Sequence, residues 1–181
     1  MLVSQWEAGW AHEAPGAPRV VLIPVQDDEL SERVFGWAVA NELRPGDAVH
    51  IVHVIVSPNT LNLQLDYFNQ ESPSDVLAAQ QQLIDRRFVA QLRERGLALP
   101  VTIHIASEDA STLGRVICGH AASAGAALVV MGHNERSKLR TLLLGSTSEY
   151  VAKHAPAGAA VRVLRAADLG AARAASGGGG K

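Results

Sequence analysis

The sequence predicts an α/β fold, a single domain with helices on both faces of a mostly parallel sheet. Two observations carry that expectation. Five short runs rich in β-branched residues alternate with four helical patterns, and such alternation calls for right-handed crossovers and a covered parallel sheet. The chain of 181 residues also shows no internal repeat, and its 48% apolar content suffices for one sizeable core.

The elements follow in order. Residues 1–17 hold no sustained period and read as an irregular N-terminal arm. Arg19 to Val25 is an apolar β-branched run, as for a strand buried on both faces. Asp27, Asp28 or Ser31 caps the next helix, which carries Leu30, Val34, Trp37, Ala38 and Asn41 at helical spacing. After the turn Pro45-Gly46-Asp47, a second strand runs from Val49 to Val56. Residues 57–73 form a long polar connection, placed to act as a lid over the sheet's carboxyl edge. A helix from Ser74 to Arg95 then shows Val76, Leu83, Ile84, Phe88 and Leu92 on one face, and Gly96 stops it.

Strand three is Val101 to Ile105. Asp109 or Ser111 opens a helix with Leu113, Val116, Ile117 and Ala121. Strand four is Ala127 to Met131; a polar basic loop leads to Gly145, and a helix runs from Ser146 to about Ala155. The last strand is Ala160 to Leu164. Beyond Arg165 the chain turns Ala- and Gly-rich, so the domain is expected over 18–166 and a disordered tail over 167–181.

Composition excludes several classes. With 16 basic and 18 acidic residues scattered along the chain, the basic block of a nucleic-acid binder is missing. No apolar run approaches the ~20 residues that span a bilayer. The lone Cys118 excludes a disulfide framework within the chain. The first residues lack the order of a secretory signal or transit peptide, so a cytoplasmic location is expected.

In open α/β sheets ligands bind beyond the carboxyl ends of the strands, where strand order reverses. Strand four ends in Met131-Gly132, and thirteen residues later Gly145 opens a helix with Ser146, Thr147 and Ser148. Unpaired N–H groups in a helix's first turn, at the positive end of its dipole, suit an anion such as phosphate. Gly132 and Gly145 would let a ligand approach backbone without a Cβ between. The loop carries Arg136, Lys138 and Arg140 against one acid, Glu135. Serine is equally a good N-cap, so spacing alone leaves phosphate binding and simple capping both open.

These residues resemble the universal stress proteins. That family's signature is a glycine, two residues, a glycine, nine residues, then Gly-Ser with a further hydroxyl; Gly132, Gly145, Ser146 and Ser148 match it. The resemblance runs from about Arg19 to Arg165. It includes Val-Leu-Ile-Pro-Val with Ser31-Glu32, His53-Val54-Ile55 and Val-Val-Met-Gly. It implies a Rossmann-like sheet of five parallel strands in order 3-2-1-4-5 and an adenine nucleotide, ATP or AMP. The base would lie near Val54 and the end of strand one (Pro24, Val25, Gln26). The phosphates would lie on Met131, Gly132, Gly145, Ser146 and Thr147; from the loop itself, Ser148 can add a hydroxyl and Arg136 or Lys138 can supply charge. It implies a homodimer as well, joined through the last strand, Ala160 to Leu164, whose edge is open to pairing. Two positions depart from the pattern. Glu135 replaces the second glycine and puts a carboxylate beside the phosphates, and Gln26 stands where an acid is common.

Other candidates carry less. His50 and His53, at odd spacing in a strand, point to opposite faces and so make no metal pair; His133 and His154 lack partners at ligand spacing. Cys118 reads as a packing residue. Ser146 lacks the Gly-x-Ser-x-Gly elbow and a base. No metal site is assigned to the chain itself, and Asp27 and Asp28 would meet Mg²⁺ only alongside nucleotide. The expected function is a nucleotide-binding stress-response or signalling module with at most slow ATP hydrolysis. The alternative is a dimeric interaction or chaperone-like protein that binds no nucleotide.

Overall fold

The structure, a computed structural model, describes residues 4–8, 17–56, 73–108, 112–133 and 146–169. Its strands are β1 (Ser4–Ala8), β2 (Val20–Val25), β3 (Ala48–Val56), β4 (Val101–Glu108), β5 (Leu128–Gly132) and β6 (Ala160–Leu164). Its helices are α1 (Glu29–Asn41), α2 (Pro73–Ile84), α3 (Ala90–Glu94), α4 (Leu113–Ser123) and α5 (Ser146–His154). A π-helical turn, Asp85–Val89, joins α2 to α3 without a break.

The sheet order is β1-β4-β3-β2-β5-β6. Strands β2 to β6 are mutually parallel, which is the order 3-2-1-4-5 expected for the five main strands. The sixth strand corrects the reading of residues 1–17 as an irregular arm. Within that segment β1 pairs antiparallel with β4, Ser4 opposite Ile105 and Ala8 opposite Val101. The physical reason lies in β4, whose outer edge would otherwise present unpaired N–H and C=O groups. Of the expected 167–181 tail, the described residues 167–169 belong to a helical turn over 166–169, in which Asp168 Oδ2 accepts from Arg165 N at 2.8 Å and Leu169 packs on the core; 170–181 lie outside the described residues. Of the 57–73 connection only Pro73, the first residue of α2, is described; Asp109 and Ser111, offered as helix starts, lie outside the described residues.

Alternation along the strands sorts the core into two layers. Val21, Ile23, Val49, Ile51 and Val130 face one cluster with Val34, Phe35 and Ala38 of α1 and with Ile84, Phe88 and Leu92. Phe35 and Phe88 meet edge to face with centroids 5.4 Å apart. Leu22, Val52, Val54, Val129 and Met131 face the other cluster, with Ile117 and Ala121 of α4 and Val151 of α5. Central β2 is buried on both faces, and this is why its sequence is an unbroken apolar run. Edge strand β6 alternates exposed and half-buried residues before Leu164.

Candidate functional site

The main chain of β2 explains where the sheet opens. Ala127 N donates to Val20 O. In a parallel ladder the rungs to one neighbour recur at every second residue, so those toward β5 fall at 20, 22 and 24. At position 24 the residue is proline, which has no N–H to give. Pairing of β2 with β5 accordingly ends at Leu22–Val129, while pairing with β3 continues to Val25–His53. The two strands part at their carboxyl ends, at the point where strand order reverses.

A cavity of about 310 Å³ occupies that crevice. Of the residues expected at the site, Pro24, Val25, Gln26, Val54, Met131, Gly132, Ser146, Thr147 and Ser148 line it. Arg136 and Gly145 lie outside the described residues, as do Glu135, Lys138 and Arg140. The wall also includes Asp28, Leu30 and Ser31 of the β2–α1 junction, Val52, and Leu113 and Ile117 of α4. Sequence patterning had marked Leu30, Leu113 and Ile117 only as core positions, because a residue on a helix's apolar face looks the same whether it meets a strand or a cavity.

Side chains finish what the ladder leaves undone. Gln26 N donates to Ser31 Oγ at 3.0 Å, and Ser31 N donates to Asp28 Oδ1 at 2.7 Å, so Asp28 is the N-cap of α1. Gln26 Nε2 donates to Val54 O at 3.3 Å, where β3 has run past the end of β2. Arg87, delivered by the π-helical turn, bridges Asp27 and Glu32, the latter at 2.7 Å. The two aspartates once considered for Mg²⁺ are therefore engaged, one as a cap and one with an arginine. Among the described residues no cluster of three His, Cys, Asp or Glu is placed to hold a metal.

At the opposite wall, Ser146, Thr147 and Ser148 open α5, with Ser148 buried and Ser146 exposed. Gly132 has a reason other than ligand clearance: a Cβ there would come within 3.2 Å of Leu30 and Val34. The glycine lets α1 close onto the end of β5. His50 and His53 do part to opposite faces, since His53 is buried with Nδ1 donating to Val25 O at 3.1 Å while His50 meets His104. His133 is buried rather than solvated, and its N donates to Leu164 O at 2.8 Å. Cys118 is half-buried beside the second cluster, and burial raises its thiol pKa.

An open, doubly wound α/β sheet with a crevice at its switch point defines the fold class. Residues 18–168 match the Universal stress protein family, and the chain belongs to it. Its fold is similar to that of the universal stress protein UspA from Lactobacillus plantarum (17% identity, 83% of this chain and 98% of that one, TM-score 0.56). It is similar to that of a universal stress protein from Archaeoglobus fulgidus (19%, 82% and 97%, 0.55). A third similar structure is the Archaeoglobus fulgidus universal stress protein in complex with dAMP (17%, 83% and 98%, 0.52). No curated protein matched the chain.

Proposed function

We propose that this universal stress protein binds an adenine nucleotide, ATP or AMP, in the β2–β5 crevice and serves as a cytoplasmic stress-response or signalling module. The observation that carries the reading is the convergence of Val54, the end of β2, Met131-Gly132 and the Ser146–Ser148 helix start on one cavity. Apolar walls suit a base, and the first turn of α5 suits phosphate. The dAMP complex of a relative supports the same ligand class. Arg136 and Gly145 would belong to the phosphate end, and Mg²⁺ would arrive with the nucleotide. Among the described residues no helix is long and apolar enough to cross a membrane.

The test is calorimetric titration of ATP, ADP and AMP, with and without Mg²⁺, into the parent and Gly145→Glu. Saturable binding by the parent and none by a folded variant is the expected result. Absence of heat from the folded parent overturns the reading. It would favour the second one, a dimeric interaction or chaperone-like protein, for which Gln26 already occupying Val54 O is the specific observation.

Either reading includes a homodimer joined through β6, an edge strand in the sheet order with Val161 and Val163 only half-buried. Sedimentation at micromolar concentration should show the dimer, and Val163→Lys should give monomer. A parent that sediments only as monomer removes the dimer from the proposal.

A further inference from the structure

Three histidines distant in sequence meet away from the crevice. His50 lies on β3, His104 on β4 and His120 in the last turn of α4. His50 Nδ1 and His104 Nε2 are 3.1 Å apart, so one ring donates and the other accepts. Their rings stack at 5.2 Å, and His104 meets His120 at 4.6 Å. All three are half-buried. The shared hydrogen bond needs a lone pair, which doubly protonated rings do not have.

No acid among the described side chains acts on the trio. Among the described side chains, the charges acting on His50 and His104 come from within the trio. On α4 the other ionisable groups are exposed Arg115 and half-buried Cys118, and neither is a counter-charge for imidazolium. β1 brings one acid to this part of the sheet: Glu7 is in register with Thr102, two residues from His104 and itself the ladder partner of His50, while Gln5 is in register with His104. The C-terminus of α4 would by itself favour a cation at His120. Burial outweighs it and lowers the pKa of His120, as burial and the neighbouring rings do for His50 and for His104, which falls to about 4.

We propose that His50, His104 and His120 form a proton-operated latch: neutral, they hold the C-terminal turn of α4 on the β3–β4 part of the sheet, and protonation releases it. The same helix places Leu113 and Ile117 in the crevice wall, so release loosens one side of the cavity. The sign follows from linkage. A histidine whose folded pKa lies below its unfolded 6.5 binds fewer protons folded than unfolded between the two values. Stability therefore falls as pH drops from about 6.5 toward about 4.

The first measurement is an imidazole proton NMR titration of the parent, assigned with His50→Asn, His104→Gln and His120→Asn. The latch requires the three rings to titrate below 6.5, His104 lowest; titration of all three near 6.5 overturns it. The second is urea unfolding at pH 7 and pH 5 for the parent and the His104→Gln, His120→Asn double variant. The parent's unfolding constant should rise about tenfold more than the variant's, allowing for partial solvent screening. Parallel profiles overturn the proposal. Hydrogen exchange, corrected for intrinsic rate, should show the last turn of α4 losing protection before β5 and α1; uniform loss across the sheet argues against a latch. Where the double variant does not fold, the parent's titration and exchange decide alone, and none of these readouts needs a bound nucleotide.

Discussion

The two ends of β2 are built on opposite plans. At the amino end every main-chain rung closes: Ala48 N donates to Arg19 O and Ala127 N to Val20 O, both at 2.9 Å. There the Arg19 guanidinium donates from Nε and Nη2 to the buried Asp47 carboxylate at 2.9 and 2.7 Å, and from Nη2 to Glu42 O. Arg44 N adds a further donor to Asp47. At the carboxyl end the ladder toward β5 stops at a proline, and the spare groups are met by Ser31 and Gln26 side chains. Backbone pairing fixes one end of the sheet and leaves the other to side chains. A crevice at the second end thus leaves the rungs at the first intact, the division of labour expected where loops at strand ends carry function on a rigid scaffold.

Two substitutions set these ends against each other. The larger effect on stability belongs to Arg19→Ala, which leaves Asp47, only 4% exposed, without its bidentate partner. With Arg44 N still in place and Arg19 itself 30% exposed, the loss should be about 2 kcal/mol, below that of breaking a fully buried pair. Urea unfolding measures it, and nucleotide titration should be unchanged. A loss under about 0.5 kcal/mol would mean that the amino end is not the anchored one. The smaller effect belongs to Pro24→Val. The new N–H can add a rung toward β5, worth about 1 kcal/mol, against a similar loss from a looser unfolded chain. Stability should move by less than about 0.5 kcal/mol while closure of the strands weakens nucleotide binding several-fold. Unchanged binding with an unchanged fold would show that the proline is not what keeps the crevice open.

Much of this was legible beforehand, for local reasons. β2, β3 and β5 read as strands because a strand buried on both faces must be apolar throughout. Asp28 stood among the candidate caps of α1, and it is the residue that accepts from Ser31 N. The cavity-lining residues expected at the ends of β2, β3 and β5 and at the start of α5 were legible from motif and resemblance together. β1 was not, since Ser-Gln-Trp-Glu-Ala has no alternation to mark it and its existence depends on the free edge of β4. Gly132 lines the cavity as expected, but the sequence did not show its second constraint, that a Cβ there would meet Leu30 and Val34, a hundred residues earlier in the chain. The π-helical turn that carries Arg87 to Asp27 left no trace in an otherwise regular apolar stripe.

The sequence by itself determined the alternation of strands and helices, the family and the strand ends that would converge, because periodicity and capping act over a few residues. Tertiary structure decided that Pro24 opens the sheet, that Arg87 bridges Asp27 and Glu32, and that His50, His104 and His120 meet. Each of these joins groups on different elements, and only the packed sheet and its covering helices bring them within reach.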